Sequence, residues 1–275
     1  ICDIQEERKI DKIFNQYRPN IVFHAAAYKH VPLMEEHPDE AVRNNIFGTK
    51  IVAEASLRSG VESFIFISTD KAVNPVSVMG ITKRIGEIMC QALNQKNNTK
   101  FISVRFGNVL DSRGSVIPIF REQIKKGGPV QVTHPEMKRY FMVISEACLL
   151  VMQAGAIGEG GEVFVLDMGE PIKILDLAKE MIRFSGLEPD KDIPIVFTES
   201  RPGEKLFEEI LTAEEGTIAT QNQNIFRAKL SAADESKVYD CLTKLEQEAE
   251  NNGKEEIIQT LKNVLKELIP SYKPQ

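Results

Sequence analysis

Tryptophan is absent from these 275 residues, and cysteine and histidine number only 4 each. Cys2, Cys90, Cys148 and Cys241 form no C-x-x-C pair, so a disulfide framework is not indicated and the thiols read as isolated side chains of a reducing compartment. His24, His30 and His134 lack metal-ligand spacing, so no metal centre is expected. No apolar run approaches the roughly 20 residues that cross a bilayer, and no secretory leader is visible. Acidic residues outnumber basic ones by 40 to 34, for a net charge of -6. That balance argues against a nucleic-acid surface, and Lys125-Lys126 is too short a basic run to be more than a solvated helix end. A strand, glycine-rich turn and helix N-terminus that would cradle a dinucleotide pyrophosphate are missing from the opening Ile1-Cys2-Asp3-Ile4. Gly155, Gly158, Gly160 and Gly161 do not replace them, because they precede a strand instead of opening a helix.

What is present is an ordinary globular balance of 42% hydrophobic and 27% charged residues, arranged as alternating helix and strand patterns. Helical periodicity marks 6–17, 39–59 (stopped by Gly60), 76–93, 115–126, 144–154 and 174–185, and two further helices over about 235–250 and 254–268. Strands are expected at 20–24, 63–68, 100–106, 130–133, 162–166 and 193–197, and a polar connection at 94–98. The strands at 63–68 and 100–106 are apolar on both faces. Buried strands alternating with helices imply an α/β fold with a parallel sheet covered on both sides.

The densest chemistry follows the strand at 63–68. Ser68-Thr69-Asp70-Lys71 sets hydroxyl, acid and base side by side at a carboxyl edge, where open α/β sheets bind their ligands. Met79 and Lys83 follow on the next helix, one turn apart and on the same face. Taken alone, Asp70-Lys71 could be a solvated ion pair worth under about 1 kcal/mol, Met79 ordinary packing and Lys83 a surface cation.

Longer motifs change that weighting. They are His24 to Glu35 (HAAAYKHVPLME), Thr69-Asp70-Lys71, Met79-x-x-x-Lys83, Arg105-Phe106-Gly107-Asn108-Val109, His134 to Met142 (HPEMKRYFM), Val165 to Pro171 (VLDMGEP) and Arg201-Pro202-Gly203-Glu204-Lys205. Together they resemble the CapD-like nucleotide-sugar 4,6-dehydratases of bacterial polysaccharide and capsule biosynthesis, which are extended short-chain dehydrogenase/reductases acting on UDP-N-acetylglucosamine. The likeness covers nearly all of residues 1–230. It implies a Rossmann-like doubly wound parallel sheet and a smaller C-terminal α/β substrate lobe. The expected division is 1–160 for the NAD-binding domain, with 108–133 partly in the substrate lobe, and 161–275 for the sugar-binding lobe and last helices. It also implies that the first strands of the fold lie upstream of Ile1. Members with methionine at position 79 carry membrane helices upstream, which would make the intact protein a membrane-anchored cytoplasmic enzyme. Residues 1–275 alone would then bind NAD poorly and aggregate through exposed sheet edges.

The resemblance assigns roles. NAD would meet Asp3 and Ile4 at a strand end, the small Ala25 and Ala26, and Lys83 at the nicotinamide ribose. Lys71 would be the base at sugar C5; a free lysine titrates at about 10.4, so burial and a neighbouring Lys83 would have to depress it. Asp70 would protonate the departing C6 hydroxyl, and Thr69 would bond the C4 oxygen. Met79 stands where most short-chain dehydrogenases carry a proton-accepting tyrosine, and a thioether carries no proton, so Asp70, Thr69 or a water must take that duty. The methionine subgroup suggests retention at C5. Arg201 would fork onto the pyrophosphate of a UDP-sugar, Glu204 would accept from ribose hydroxyls, and Arg105, Asn108 and Arg139 are further substrate candidates. A 4-epimerase on the same scaffold and an inactive UDP-sugar-binding fragment are the alternatives. Whether the chain forms a homo-oligomer stays open; the superfamily that it resembles commonly pairs through long helices such as those at 39–59 and 76–93.

Overall fold

A computed structural model describes residues 1–94, 99–211, 216–230 and 233–273. Most of the polar connection expected at 94–98 lies outside these residues. The main sheet has six strands, in the order Ile21–His24, Ser63–Ile67, Lys100–Arg105, Val163–Leu166, Ile225–Ala228 and Thr217–Ala219. The first four run parallel, each strand entering the sheet beside its predecessor. The last two join antiparallel. Val163–Leu166 is buried throughout and Lys100–Arg105 beyond its first residue, as their unbroken apolar runs require for central parallel strands. The 217–228 hairpin escaped sequence reading because its strands are short and its turn polar; the Thr220 hydroxyl there donates to the Ile225 carbonyl at 2.7 Å and accepts from the Asn222 amide at 3.1 Å.

The helical stretch expected at 39–59 is continuous but not uniform. It runs as Pro38–Ala41, a π-helical segment Val42–Gly48, and Thr49–Arg58. The widened turn carries Asn45 inward, where its side chain accepts from the Tyr28 amide and donates to the Tyr28 carbonyl, fixing the loop that leaves the first strand. Such π insertions cluster at functional sites.

Helix Val78–Asn94 is the axle of the molecule. All but Gln91 and Asn94 of its residues are buried. Helices Glu235–Asn251 and Lys254–Leu268 pack on it and on the helical stretch at 38–48, sharing one apolar core through Val238, Leu242, Leu261 and Leu265. The chain's own last two helices thus cover part of the helices at 38–48 and 78–94.

A second core gathers Phe120, Ile124, Val130, Val132, Ile174, Ala178 and Ile182. It belongs to a smaller lobe built from helices Val116–Lys125 and Ile174–Phe184 and the parallel strands Val130–Val132 and Ile195–Phe197. The lobes therefore interleave along the chain. A boundary at 160 does not separate them, because strands after it return to the main sheet and the last helices pack on the larger core.

Candidate active site

Between the lobes, at the carboxyl ends of the parallel strands, lies a cleft of about 510 Å³. Ser68, Thr69 and Lys71 form one wall, Met79 and Lys83 line it from the axial helix, and Asn108, Arg201 and Glu204 face it from elsewhere.

Strand Ser63–Ile67 ends in a single 3₁₀ turn, Asp70–Ala72, capped by the Thr69 hydroxyl, which accepts from the Lys71 amide at 3.3 Å. That turn sends Asp70 inward and Lys71 outward. Asp70 is fully buried, and its Oδ1 accepts from Thr69 Oγ1 at 2.8 Å and from Lys71 Nζ at 2.9 Å. Lys71 Nζ also donates to Asn108 Oδ1 at 3.4 Å and lies 3.7 Å from Glu208 Oε1. The amine therefore faces the cleft and the carboxylate sits behind it, so the two do not present themselves side by side to a ligand. The expected proton inventory of Lys71 also changes. Burial works against its ammonium, but Asp70 and Glu208 outweigh burial, and the pKa lies above the ordinary lysine value. Lys83 does not depress it.

Lys83 meets a different environment. Its Nζ sits 3.9 Å above the Phe66 ring, and among the described residues it makes no hydrogen bond or ion pair. Burial lowers its pKa to about 8. Burial, with Lys83 second, also lowers His24 to about 3; this neutral imidazole shares a 2.8 Å hydrogen bond with Thr49 Oγ1. The start of the axial helix is fixed by Ser77 Oγ, which accepts from the Gly80 amide, and by Glu35 Oε1, which accepts from the Val78 amide at 2.7 Å. A Cβ on Gly80 would fall 2.3 Å from the Lys71 carbonyl, so only glycine lets this helix approach the Asp70–Ala72 turn.

Not every expected residue reaches the cleft. Arg105 is fully buried beneath it, its Nε and one terminal nitrogen each 2.7 Å from the two Glu87 oxygens, and does not line the cleft. Ser68 Oγ and Arg84 complete the Glu87 contacts at 2.6 and 2.8 Å. Burial would raise the Glu87 carboxyl, but Arg105 and its other partners hold it at about 2. Arg139 lines the cleft, yet its guanidinium donates to the carbonyls of Lys138, Lys205 and Leu206, which leaves it shaping the wall. Asp3 is exposed and accepts from the Gln5 amide, and Ile4 packs where a Gly48 side chain would stand. Neither lines the cleft, nor does Ala26, whereas Ala25 does.

Arg201 and Glu204 do line it, presented by the turn in which the Glu204 amide donates to the Arg201 carbonyl. Gly203 holds φ +76, and a Cβ there would come within 2.7 Å of Glu35 Oε1. Sequence reading missed Glu35, Glu87 and Glu208. The signal for Glu208 was the acidic pair Glu208-Glu209 after the Arg-Pro-Gly-Glu-Lys motif, but nothing in the sequence says which of the two turns inward.

Residues 1–230 match the family described as "Polysaccharide biosynthesis protein". The chain is 58% identical over 231 residues to the capsular polysaccharide biosynthesis protein CapD of Staphylococcus aureus, covering 84% of this chain and 38% of that protein. It is 59% identical over 215 residues to the probable polysaccharide biosynthesis protein EpsC of Bacillus subtilis, covering 78% and 36%. It therefore spans well under half the length of these two relatives. A UDP-glucose 4-epimerase of Rickettsia rickettsii is 35% identical over 238 residues, covering 85% and 67%. Among solved structures, Pen from Bacillus thuringiensis superposes with a TM-score of 0.75 at 32% identity, covering 89% of this chain and 81% of that one. DesIV, a dTDP-glucose 4,6-dehydratase of Streptomyces venezuelae solved with NAD, superposes at 0.69 with 17% identity, covering 78% and 70%, a likeness of fold alone.

Proposed function

The chain belongs to the polysaccharide biosynthesis protein family, and on that premise we propose that its cleft serves NAD-dependent 4,6-dehydration of UDP-N-acetylglucosamine to the UDP-4-keto-6-deoxy sugar. The observation that carries this reading is the Lys71–Asp70 contact of 2.9 Å at the carboxyl edge of the sheet, with Thr69 on the same carboxylate. An elimination across C5 and C6 needs a base at one carbon and a proton at the next.

The residues present fit NAD. Lys83 offers the cleft a buried ammonium with no carboxylate bound to it among the described residues, suited to ribose hydroxyls, and the small Ala25 lets a flat ligand approach. When bound, NAD would supply reversible hydride transfer with the sugar. Across the 2.9 Å contact the Lys71 ammonium first passes its proton to Asp70, and the neutral amine then takes the C5 proton, acidified by the neighbouring ketone. Asp70 lies behind it, so a proton from its carboxyl reaches the leaving C6 hydroxyl through Thr69 Oγ1, which bonds Asp70 Oδ1. Met79 carries no proton, and the C4 hydroxyl hands its proton to water. Arg201 pairs with the pyrophosphate and Glu204, whose Oε2 is buried without a hydrogen-bond partner among the described residues, accepts from a ribose hydroxyl. Asn108 orients the sugar.

The intact protein, incubated with UDP-N-acetylglucosamine and NAD, should yield a product lighter by one water. The relative named as a 4-epimerase favours a second reading. In C4 epimerisation the Asp70–Lys71 pair has no elimination to perform, and an unchanged mass with an inverted C4 would establish that reading instead.

A further inference from the structure

The segment that follows the Arg201 turn grips the catalytic turn at successive points. Gly203 abuts Glu35 and Ser77, Lys205 Nζ donates to the Val73 carbonyl at 2.8 Å, Asn74 donates to Glu209 at 3.1 Å, and Glu208 reaches Lys71. Glu208 does not line the cleft and its side chain is only 3% exposed, yet it is an ionisable group turned toward the amine that meets the ligand. Its Oε2 and Asp70 Oδ2 are both buried without a hydrogen-bond partner among the described residues.

We propose that Glu208 is a positioning residue of this site: together with Asp70 it brackets the Lys71 ammonium and sets the pH at which that nitrogen releases its proton. The proposal rests on the reading above only in taking Lys71 as the group that meets the sugar. The groups facing this cluster are Asp70 and Lys71 from the catalytic turn, Arg139 with its Nε 3.9 Å from Glu208 Oε1, and Lys205 from Glu208's own segment. Two carboxylates and two flanking cations around one amine make a site whose charge state is shared. Burial pushes the Glu208 carboxyl up, with Lys71 pulling against it, while Asp70 and Glu208 push Lys71 up. Because Glu208 sits four residues beyond Glu204, one short stretch of chain joins the nucleotide end of the cleft to its reacting end.

The test needs no assumption about the reaction. In the intact protein, the pH dependence of Lys71 acetylation by acetic anhydride, read by peptide mass spectrometry, gives the midpoint at which the amine becomes free. Glu208→Gln removes an anion about 4 Å from the ammonium and should move that midpoint to lower pH by about one unit, a tenfold change in proton affinity. The Lys71-dependent limb of the turnover profile should move with it. Glu208→Asp keeps the charge but withdraws it by one methylene and should give a smaller shift in the same direction; it serves where the Gln variant does not fold. A midpoint in either folded variant that coincides with the unaltered protein's overturns the proposal. Product identity from the unaltered protein decides dehydration against epimerisation separately, so the two readings fail independently.

Discussion

Arg105 grips both oxygens of Glu87 at 2.7 Å, and neither side chain is reached by solvent. The pair joins the third parallel strand to the axial helix one turn beyond Lys83, directly under the Asp70–Ala72 turn, which Ser68 ties to the same carboxylate.

Breaking this pair from one side leaves a buried uncompensated charge. Arg105→Leu should cost about 3–5 kcal/mol of folding stability, read as a lower denaturation midpoint in urea, whereas loss of UDP-sugar binding without loss of stability would return Arg105 to the substrate site.

The Glu87 carboxyl, held at about 2 against an ordinary 4.5, contributes stability that is complete above the unfolded value. It is lost as pH falls from about 4.5 through about 2, because the unfolded chain binds the proton first. Urea titrations between pH 6 and 2 should show this loss in the unaltered protein and a flatter profile in the double variant Arg105→Leu/Glu87→Leu.

Lys83 shows the opposite sign. Its folded value of about 8 lies below the ordinary 10.5, so its burial disfavours folding at neutral pH and that cost fades as pH rises from about 8 to 10.5. Lys83→Met should raise stability at pH 7 by roughly 1–3 kcal/mol while weakening NAD binding in the intact protein. A variant that loses stability and keeps full NAD affinity would contradict the cofactor role.

Lys71→Met removes the cleft-facing amine and preserves its length. In the intact protein it should lower dehydration by at least ~100-fold with UDP-sugar affinity nearly unchanged by calorimetry. Normal turnover would remove Lys71 from the mechanism.

The C-terminal helices end in a strap: the Tyr272 hydroxyl donates to the Pro75 carbonyl at 2.9 Å, just beyond the Asp70–Ala72 turn. Tyr272→Phe should cost about 1 kcal/mol, and the matching signature is faster amide exchange across 73–77 with the main sheet unaffected.

Periodicity and apolar runs determined much by themselves. The alternation of elements, the parallel central strands and the helices around Met79 and Lys83 follow from spacings of 2 and 3.6 residues acting locally. The motif order also marked Lys71, Asn108, Arg201 and Glu204, all of which line the cleft. Only the tertiary structure decided which neighbours each charge would meet. Arg105 resembled a substrate ligand until Glu87 arrived from a helix 18 residues away. Lys71 was expected to lose its proton easily until Glu208 came to it from the segment after the Arg201 turn. The last two helices, which bear no motif, pack on the axial helix and share its apolar core. The physical reason is the same each time: backbone geometry is set by adjacent residues, whereas proton affinity and burial are set by whatever the fold carries to within a few ångströms.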